Sequence, residues 1–355
     1  MTPEAQRLIQ PNLLYWATGN TVTTELTGAI EHVQLGGNVH DKVDLVLIAP
    51  ATANTIGKAA GGIDDTAVTT LFTTAFGEGI PICMVPAMHS PMYDHPFVAA
   101  NIEKLKANGV HFILPEVAEG KAKMPDVETI VWSSVSLLAS DGPLSGKKVV
   151  VSAGRTVEYL DPIRVITNNS SGKMGVELTK ALLLAGAEVS LVYGKGTEPP
   201  LKTVPTVRVD TAEHMTSAVE KLIEQEQADC FIAAAAVGDW KAKELSEEKI
   251  STHTTASVTF EMEPTVKIID RIKDRFPDTY LVAFRALYRK SLEELEEDAV
   301  ARMEKAKADL IAVNDVSSEK VGFESESNEM RVFSKSGRRF HIPFSKKFKV
   351  AERLV

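Results

Sequence analysis

The residues best equipped for chemistry sit in four loops, each following an apolar run. Asp161-Pro-Ile-Arg-Val-Ile-Thr-Asn-Asn-Ser-Ser-Gly-Lys-Met-Gly175 carries Arg164, Asn168 and a Ser-Ser-Gly-Lys turn ahead of helix-patterned residues. Free N–H groups at a helix N-terminus attract anions, so a strand, a long polar loop and a helix starting at Gly172 make a phosphate-compatible site. Neither common nucleotide fingerprint is present. GxGxxG is missing, with only Gly154 in place, and SSGK lacks the spacing of GxxxxGK[ST], which weighs against a dinucleotide oxidoreductase. The second loop is Ala233-Ala-Ala-Ala-Val-Gly-Asp-Trp240. Its alanines would let a flat base lie against the strand, and Asp239 could hold a ribose hydroxyl or a metal. Nine residues on, Lys249 in Glu-Glu-Lys-Ile could neutralise phosphate charge, although spacing alone reads it as a solvated surface lysine.

The other two loops lie in the first half. Ala49-Pro-Ala-Thr-Ala-Asn-Thr55 puts Thr52, Asn54 and Thr55 after an apolar strand, at the edge where open α/β sheets bind ligands, and the same residue types also cap helices. Val85-Pro-Ala-Met-His-Ser-Pro-Met-Tyr93 sets Met88, His89 and Met92 at a second strand end. His32, in Ile-Glu-His-Val, is a further acid–base candidate, because histidine titrates near neutral pH.

Short apolar runs alternate with amphipathic stretches along the whole chain, the pattern of a parallel sheet covered by helices, so the fold class is α/β. Strands are predicted at 44–49, 81–86, 110–114, 147–152, 188–193, 206–209, 229–235, 280–284 and 309–313. Helices are predicted at 64–76, 97–108, 126–139, 172–186, 212–226 and 290–307. Near the end, RVFSKSGRRFHI reads as a hairpin with a Ser-Gly turn. The breaker cluster Ser140-Asp-Gly-Pro-Leu-Ser-Gly146 divides the chain into domains at 1–140 and 146–355.

The 355 residues suffice for two cores, and a composition 44% apolar and 25% charged excludes disorder, collagen and coiled coil. No apolar stretch reaches the roughly 20 residues of a membrane helix, and the start lacks the layout of a signal peptide, which predicts a cytoplasmic protein without a membrane partner. Cys83 and Cys230 both lie in apolar runs, so buried reduced thiols are expected rather than a disulfide framework or a zinc site. The formal charge of −9 argues against nucleic acid as partner and requires a locally positive site for any phosphate ligand.

Together, Pro50-Ala-Thr-Ala-Asn54, Gly62-Ile-Asp-Asp65, Pro86-Ala-Met88 followed by Met92, and His32 resemble the flavin-containing phosphopantothenoylcysteine decarboxylases. That resemblance implies a flavodoxin-like, Rossmann-like domain with FMN as cofactor, Thr52, Asn54 and Thr55 on the flavin, Met88, His89 and Met92 in the substrate loop, and His32 as catalytic base. Two departures stand out. His89 replaces the asparagine of bacterial members, and 117–125 carries no cysteine where their flap has a proton donor. The resemblance also aligns Met1-Thr2 with the end of the family's second strand. The strand unit with the flavin-phosphate contacts is then missing in front, which predicts impaired FMN binding and leaves open an alternative in which the first half is an inactive oligomerisation or regulatory module.

The second half, through DPIRVITNNSSGKMG, AAAVGDW with EEKI, VAF at 282–284 and Asn314-Asp315-Val316 with Gly322-Phe323, resembles phosphopantothenate–cysteine ligases. The implied enzyme is bifunctional and belongs to coenzyme A biosynthesis. Its ligase half has a parallel sheet plus a C-terminal hairpin, takes CTP with Mg2+, phosphopantothenate and cysteine as small-molecule partners, and forms an acyl-cytidylate. By resemblance, Asn168 holds the acyl-cytidylate, Arg164 in the same loop is assigned with it to the acyl substrate, and Lys249 serves nucleotide activation. The nucleotide falls to Ala233, Ala234, Ala235, Asp239, Pro264, Thr265, Val266, Lys267 and Phe284, with Arg302 and Lys305 on the triphosphate. No residue is assigned to the metal. Homo-oligomers are implied, as ligase dimers and flavin-domain trimers. Segment 315–328 is a candidate water-excluding lid. Thr156-Val-Glu and Ala286-Leu287 depart from the family's Thr-Arg-Glu and Ala-Glu.

Overall fold

The computed structural model describes residues 1–250, 257–317, 322 and 325–355. They form two compact units, Met1–Leu138 and Ala139–Val355.

In the first unit, parallel strands β1 (Val46–Ala51), β2 (Ile82–Pro86) and β4 (His111–Phe112) lie side by side in that order. β2 is buried along its whole length, as expected of a central strand covered on both faces. Met84 and Ile56, both fully buried, lie in one core with Phe72. Each such side chain contributes about 1.5–3 kcal/mol through burial. A second, antiparallel sheet orders β3 (Met88–His89), β6 (Lys121–Lys123) and β5 (Glu116–Ala118), so the second candidate loop is partly strand. Thr52 caps helix Ala53–Gly61 by accepting the N–H of Thr55, and Thr66 and Thr69 form a capping box on helix Ala67–Gly77. The turn between these helices is fastened by Lys58–Asp65 (2.6 Å) and by Thr73 donating to Asp64, which gives the Gly62–Asp65 motif a structural task. Met1 and Thr2 are not strand: Thr2 caps helix Pro3–Leu8, whose proline at the first position suits a helix start.

The second unit is built on an eight-stranded sheet. Its strands are β7 (Lys148–Ala153), β10 (Glu188–Tyr193), β11 (Thr206–Arg208), β12 (Cys230–Ala233), β15 (Tyr280–Leu287), β16 (Leu310–Asp315), β17 (Ser327–Ser334) and β18 (Arg339–Lys346), in the order β11-β10-β7-β12-β15-β16-β17-β18. The first six are parallel, and β17 and β18 complete the sheet as an antiparallel hairpin. Two small hairpins decorate it: β8 (Val157–Tyr159) with β9 (Val165–Thr167), and β13 (Trp240–Ala242) with β14 (Met262–Pro264).

Helices Ala212–Glu226, Ile268–Arg275 and Leu292–Ala306 share one core with the sheet, built around Phe231, Leu281 and Ile311. Helix Lys173–Leu184 packs against β7, β10 and the C-terminal helix Lys347–Leu354. Its approach to β7 requires Gly175, because a Cβ there would lie 2.3 Å from the Cβ of Ala153. Among the described residues, no helix is long and apolar enough to cross a membrane.

Candidate functional site

Taking the six parallel strands in chain order, their spatial sequence is 3-2-1-4-5-6, the doubly wound order. Its topological switch point lies between β7 and β12, where such sheets bind ligands beyond the strand carboxyl ends. Both candidate loops of the second unit leave from that point. β7 runs into Gly154–Thr156 and β12 into Ala234–Asp239, and the two are stitched together by the N–H of Ala236 on the carbonyl of Gly154 (2.7 Å). Gly154 takes φ +79°, and a Cβ there would meet the carbonyl oxygen of Lys195 at 2.6 Å, so only glycine admits this convergence of three strand ends. Ala233, Ala234 and Ala235 are half-buried on the crevice wall, and Asp239 is exposed at its rim.

The β8–β9 hairpin delivers Asn168. Thr167 donates to the carbonyl of Thr156 (2.7 Å), and the next side chain, the Asn168 carboxamide, donates to the carbonyls of Ala236 (3.3 Å) and Val237 (3.0 Å). Thr156 in turn accepts the N–H of Gly238 at 2.8 Å. The asparagine loop and the alanine loop thus form one hydrogen-bonded surface.

Arg164 immediately precedes the return strand of this hairpin. Its guanidinium is paired with Asp161, a carboxylate whose side chain is fully buried. Asp161 also accepts the N–H groups of Ile163 (2.8 Å), Arg164 (2.7 Å) and Ile250 (3.3 Å). Burial raises its pKa, but the amide donors of Arg164 and Ile163, the guanidinium and the Ile250 amide outweigh that and hold the carboxyl at about 2. Lys249 is exposed next to Ile250, so Asp161 tethers the lysine's segment to the Arg164 turn.

On the other side of the crevice, Lys267 pairs with Asp239 while Thr265 donates its hydroxyl to Gly238 and its N–H to Asp239 (3.0 Å). Thr265 is buried, and Pro264 and Val266 are exposed on the same turn. Arg302 and Lys305 meet Asp270 at 2.6 and 3.8 Å, and Arg285 grips Asp298 through two nitrogens at 2.9 and 3.2 Å. Burial, with the positive charge of Arg302, Arg285 and Lys305 nearby, lowers the pKa of Lys267. Four cations therefore converge, the locally positive site that an acidic chain needs for a polyphosphate. Phe284 on β15 is half-buried and packs against the cluster of Ala312, Met330, Val332, Ile342 and Val350.

In the first unit, β1 and β2 end together, with Ala87 donating to the carbonyl of Ala51 (3.1 Å). The Thr52–Thr55 and Met88–Met92 segments are thereby neighbours at one carboxyl edge. Thr52 and Thr55 share a hydroxyl hydrogen bond (3.2 Å), and Asn54 lies in the first turn of the helix they cap. The hairpin carrying 117–123 is tied to the second loop: Met88 and His89 pair with Ala122 and Lys121, and Ser90 donates its N–H to Gly120 at 3.0 Å. His32 lies on helix Glu31–Gly36, which packs against helix Ala67–Gly77, and its Nδ1 is buried without a hydrogen-bond partner.

Comparisons with known proteins agree with this division. A family model of the DNA/pantothenate metabolism flavoprotein C-terminal domain matches residues 144–355, and a flavoprotein model matches residues 1–139. The coenzyme A biosynthesis bifunctional protein CoaBC of Thermococcus kodakarensis is 46% identical over 358 residues, spanning 100% of this chain and 85% of that protein. This chain belongs to the CoaBC family. The Bacillus subtilis CoaBC is 33% identical over 369 residues, spanning 100% of this chain and 87% of that protein. The DNA/pantothenate metabolism flavoprotein structure from Streptococcus pneumoniae covers 59% of this chain and 96% of its own at a TM-score of 0.50 and 24% identity, a likeness of fold. A flavoprotein match across the first half and full-length bifunctional relatives set aside the alternative in which that half is only an oligomerisation or regulatory module.

Three residues of this CoaBC-family site were not singled out from sequence. Asp161 and Asp270 pair with neighbouring arginines, and Arg285 directly follows Val282-Ala-Phe284 within the strand. An arginine interrupting a buried strand was the available signal. Gly322 is described, whereas Phe323 and much of the candidate lid at 315–328 lie outside the described residues.

Proposed function

We propose that the second unit joins 4'-phosphopantothenate to cysteine at the expense of CTP, and that the first unit decarboxylates the product to 4'-phosphopantetheine with FMN. The functional division is placed in the linker 140–146. The observation that carries the ligase reading is the Asn168 carboxamide on the carbonyls of Ala236 and Val237, at the switch point of a doubly wound sheet.

A carboxylate resists attack by an amine at neutral pH and must first become a mixed anhydride. The substrate carboxylate attacks the α-phosphorus of CTP, the bond to the β-phosphate oxygen breaks, and pyrophosphate leaves. Lys267, Arg285, Arg302 and Lys305, whose charges are felt at Lys267, would take the charge that builds there. In the free protein their charge is offset by Asp239, Asp270 and Asp298, so binding exchanges carboxylates for phosphates. Mg2+, to which no residue is assigned, would supply further positive charge to the phosphates when bound. Lys249, tethered through Ile250, is assigned to the activation step. Asn168 positions the acyl-cytidylate, and Arg164 is assigned to the acyl substrate. The cysteine amine then attacks the acyl carbon and CMP leaves.

For the first unit, FMN when bound would supply a reversible two-electron exchange, the oxidation that makes carbon dioxide loss feasible and then the matching reduction that brings the product to 4'-phosphopantetheine. Thr52, Asn54 and Thr55 would hold it at the β1 edge, while His32 is assigned as the base that takes the substrate proton. Met88, His89 and Met92 are assigned to the substrate loop. Purified protein given CTP, Mg2+, phosphopantothenate and cysteine is expected to form phosphopantothenoylcysteine and, with FMN, phosphopantetheine. Absence of either product contradicts the corresponding half.

A further inference from the structure

A cavity of about 460 Å³ opens at the carboxyl end of β16, between the start of helix Leu292–Ala306 and the β17–β18 hairpin. None of the residues assigned to the nucleotide or the acyl substrate lines it. Its wall is apolar, from Leu292, Leu295, Val313 and Phe344, and four charged groups face it. Two of these already have partners: Lys290 pairs with Glu294 (3.2 Å) and Glu329 with His341 (2.7 Å).

The other two, Arg331 and Asp315, make no ion pair among the described residues. Arg331 sits opposite Val313 across the antiparallel β16–β17 pair, and Asp315 is two residues further along β16, hence on the same face. Diagonal neighbours of this kind are about 7–8 Å apart, within reach of a long side chain, yet the Arg331 guanidinium is not paired with Asp315 and leaves both groups to the cavity. Asp315 accepts the N–H groups of Ser317 (2.8 Å) and Arg289 (3.3 Å), both on Oδ1. Burial raises its pKa, and these donors outweigh that and keep it ionised.

One free positive and one free negative group over an apolar wall do not suit a polyphosphate, which needs several cations, nor a fatty acid, whose carboxylate would face Asp315. They suit a molecule with both charges on neighbouring atoms and a small apolar side chain. We propose that this cavity binds a free α-amino acid, its carboxylate on Arg331, its ammonium on Asp315 and its side chain against Leu292, Leu295 and Val313. The ligand is either the substrate cysteine or a different amino acid acting as effector.

The test is calorimetric titration of the full chain, without nucleotide, with L-cysteine under reductant, L-valine, N-acetyl-L-cysteine and cysteamine. At least one of the two free amino acids is expected to bind, with N-acetylcysteine and cysteamine at least tenfold weaker. Arg331→Met and Leu292→Trp, the second blocking the mouth from an exposed position, are each expected to weaken binding at least tenfold at unchanged melting temperature. Selective cysteine binding with a raised KM for cysteine in both variants identifies the substrate pocket, and valine binding with unchanged KM identifies an effector site. No binding of either amino acid, or wild-type affinity in both variants, overturns the proposal. Because no nucleotide is present, lack of ligase activity leaves this result interpretable.

Discussion

Asp161 and Ile250, 89 residues apart in sequence, are joined by the Ile250 N–H on the buried Asp161 carboxylate at 3.3 Å. Through that bond the turn that carries Arg164 and the segment that carries Lys249 share one anchor.

Removing the anchor is expected to lower ligase kcat at least about tenfold in Asp161→Asn while CTP binding persists, because a displaced Lys249 costs activation rather than nucleotide affinity. The carboxyl titrates at about 2, below its ordinary value of 3.8. A depressed folded-state pKa gives stability that is present above the unfolded value and lost as pH falls through the folded one. Melting curves of wild type should therefore fall more steeply than those of Asp161→Asn between about pH 5 and pH 2. Parallel curves would count against the anchor.

Asn168→Asp replaces a donor to two carbonyls by an acceptor facing them. Ligase turnover is expected to fall about a hundredfold, with Asn168→Gln recovering part of it. Wild-type rates for Asn168→Asp in a pyrophosphate-release assay would show that the carboxamide does not position the intermediate.

Gly175→Ala forces a methyl group to within 2.3 Å of Ala153, between helix and central strand. Overpacking of this kind costs about 1–3 kcal/mol, readable as a lower urea midpoint with an unchanged slope.

Burial pushes the thiols of Cys83 and Cys230 up to about 11 and 12. At pH 8 only about one molecule in a thousand or fewer then carries either thiolate, the reactive form. Iodoacetamide should leave the native protein unlabelled over a time in which urea-unfolded protein takes two labels. Cys83 is buried and Cys230 half-buried, and rapid native labelling would contradict the raised pKa of both thiols.

Much of this architecture is readable from hydrophobic patterning. Glu188–Tyr193 and Ala212–Glu226 form over the ranges their patterns indicate, and the terminal Ser-Gly turn joins β17 to β18. The short hairpins were not readable, because β9 and β5 are three exposed residues each, without an apolar alternation to mark them. The switch point was not readable either, since strand order depends on pairing across long sequence separations. For the candidate site, motif-bearing loops stood out by residue type. Asp161, Asp270 and Arg285 did not, because Ile250, Arg302 and Asp298, the partners that give them their roles, lie between 13 and 89 residues away, which local composition does not encode.

The most direct test of the account follows oxygen. Phosphopantothenate labelled with 18O in its carboxylate is given to the purified protein with CTP, Mg2+ and cysteine, and the released CMP is analysed by mass spectrometry. Activation through an acyl-cytidylate predicts one 18O transferred to each CMP, with the yield falling in Lys249→Ala and Asn168→Ala. CMP carrying no label, or label transfer undiminished in both variants, would contradict it.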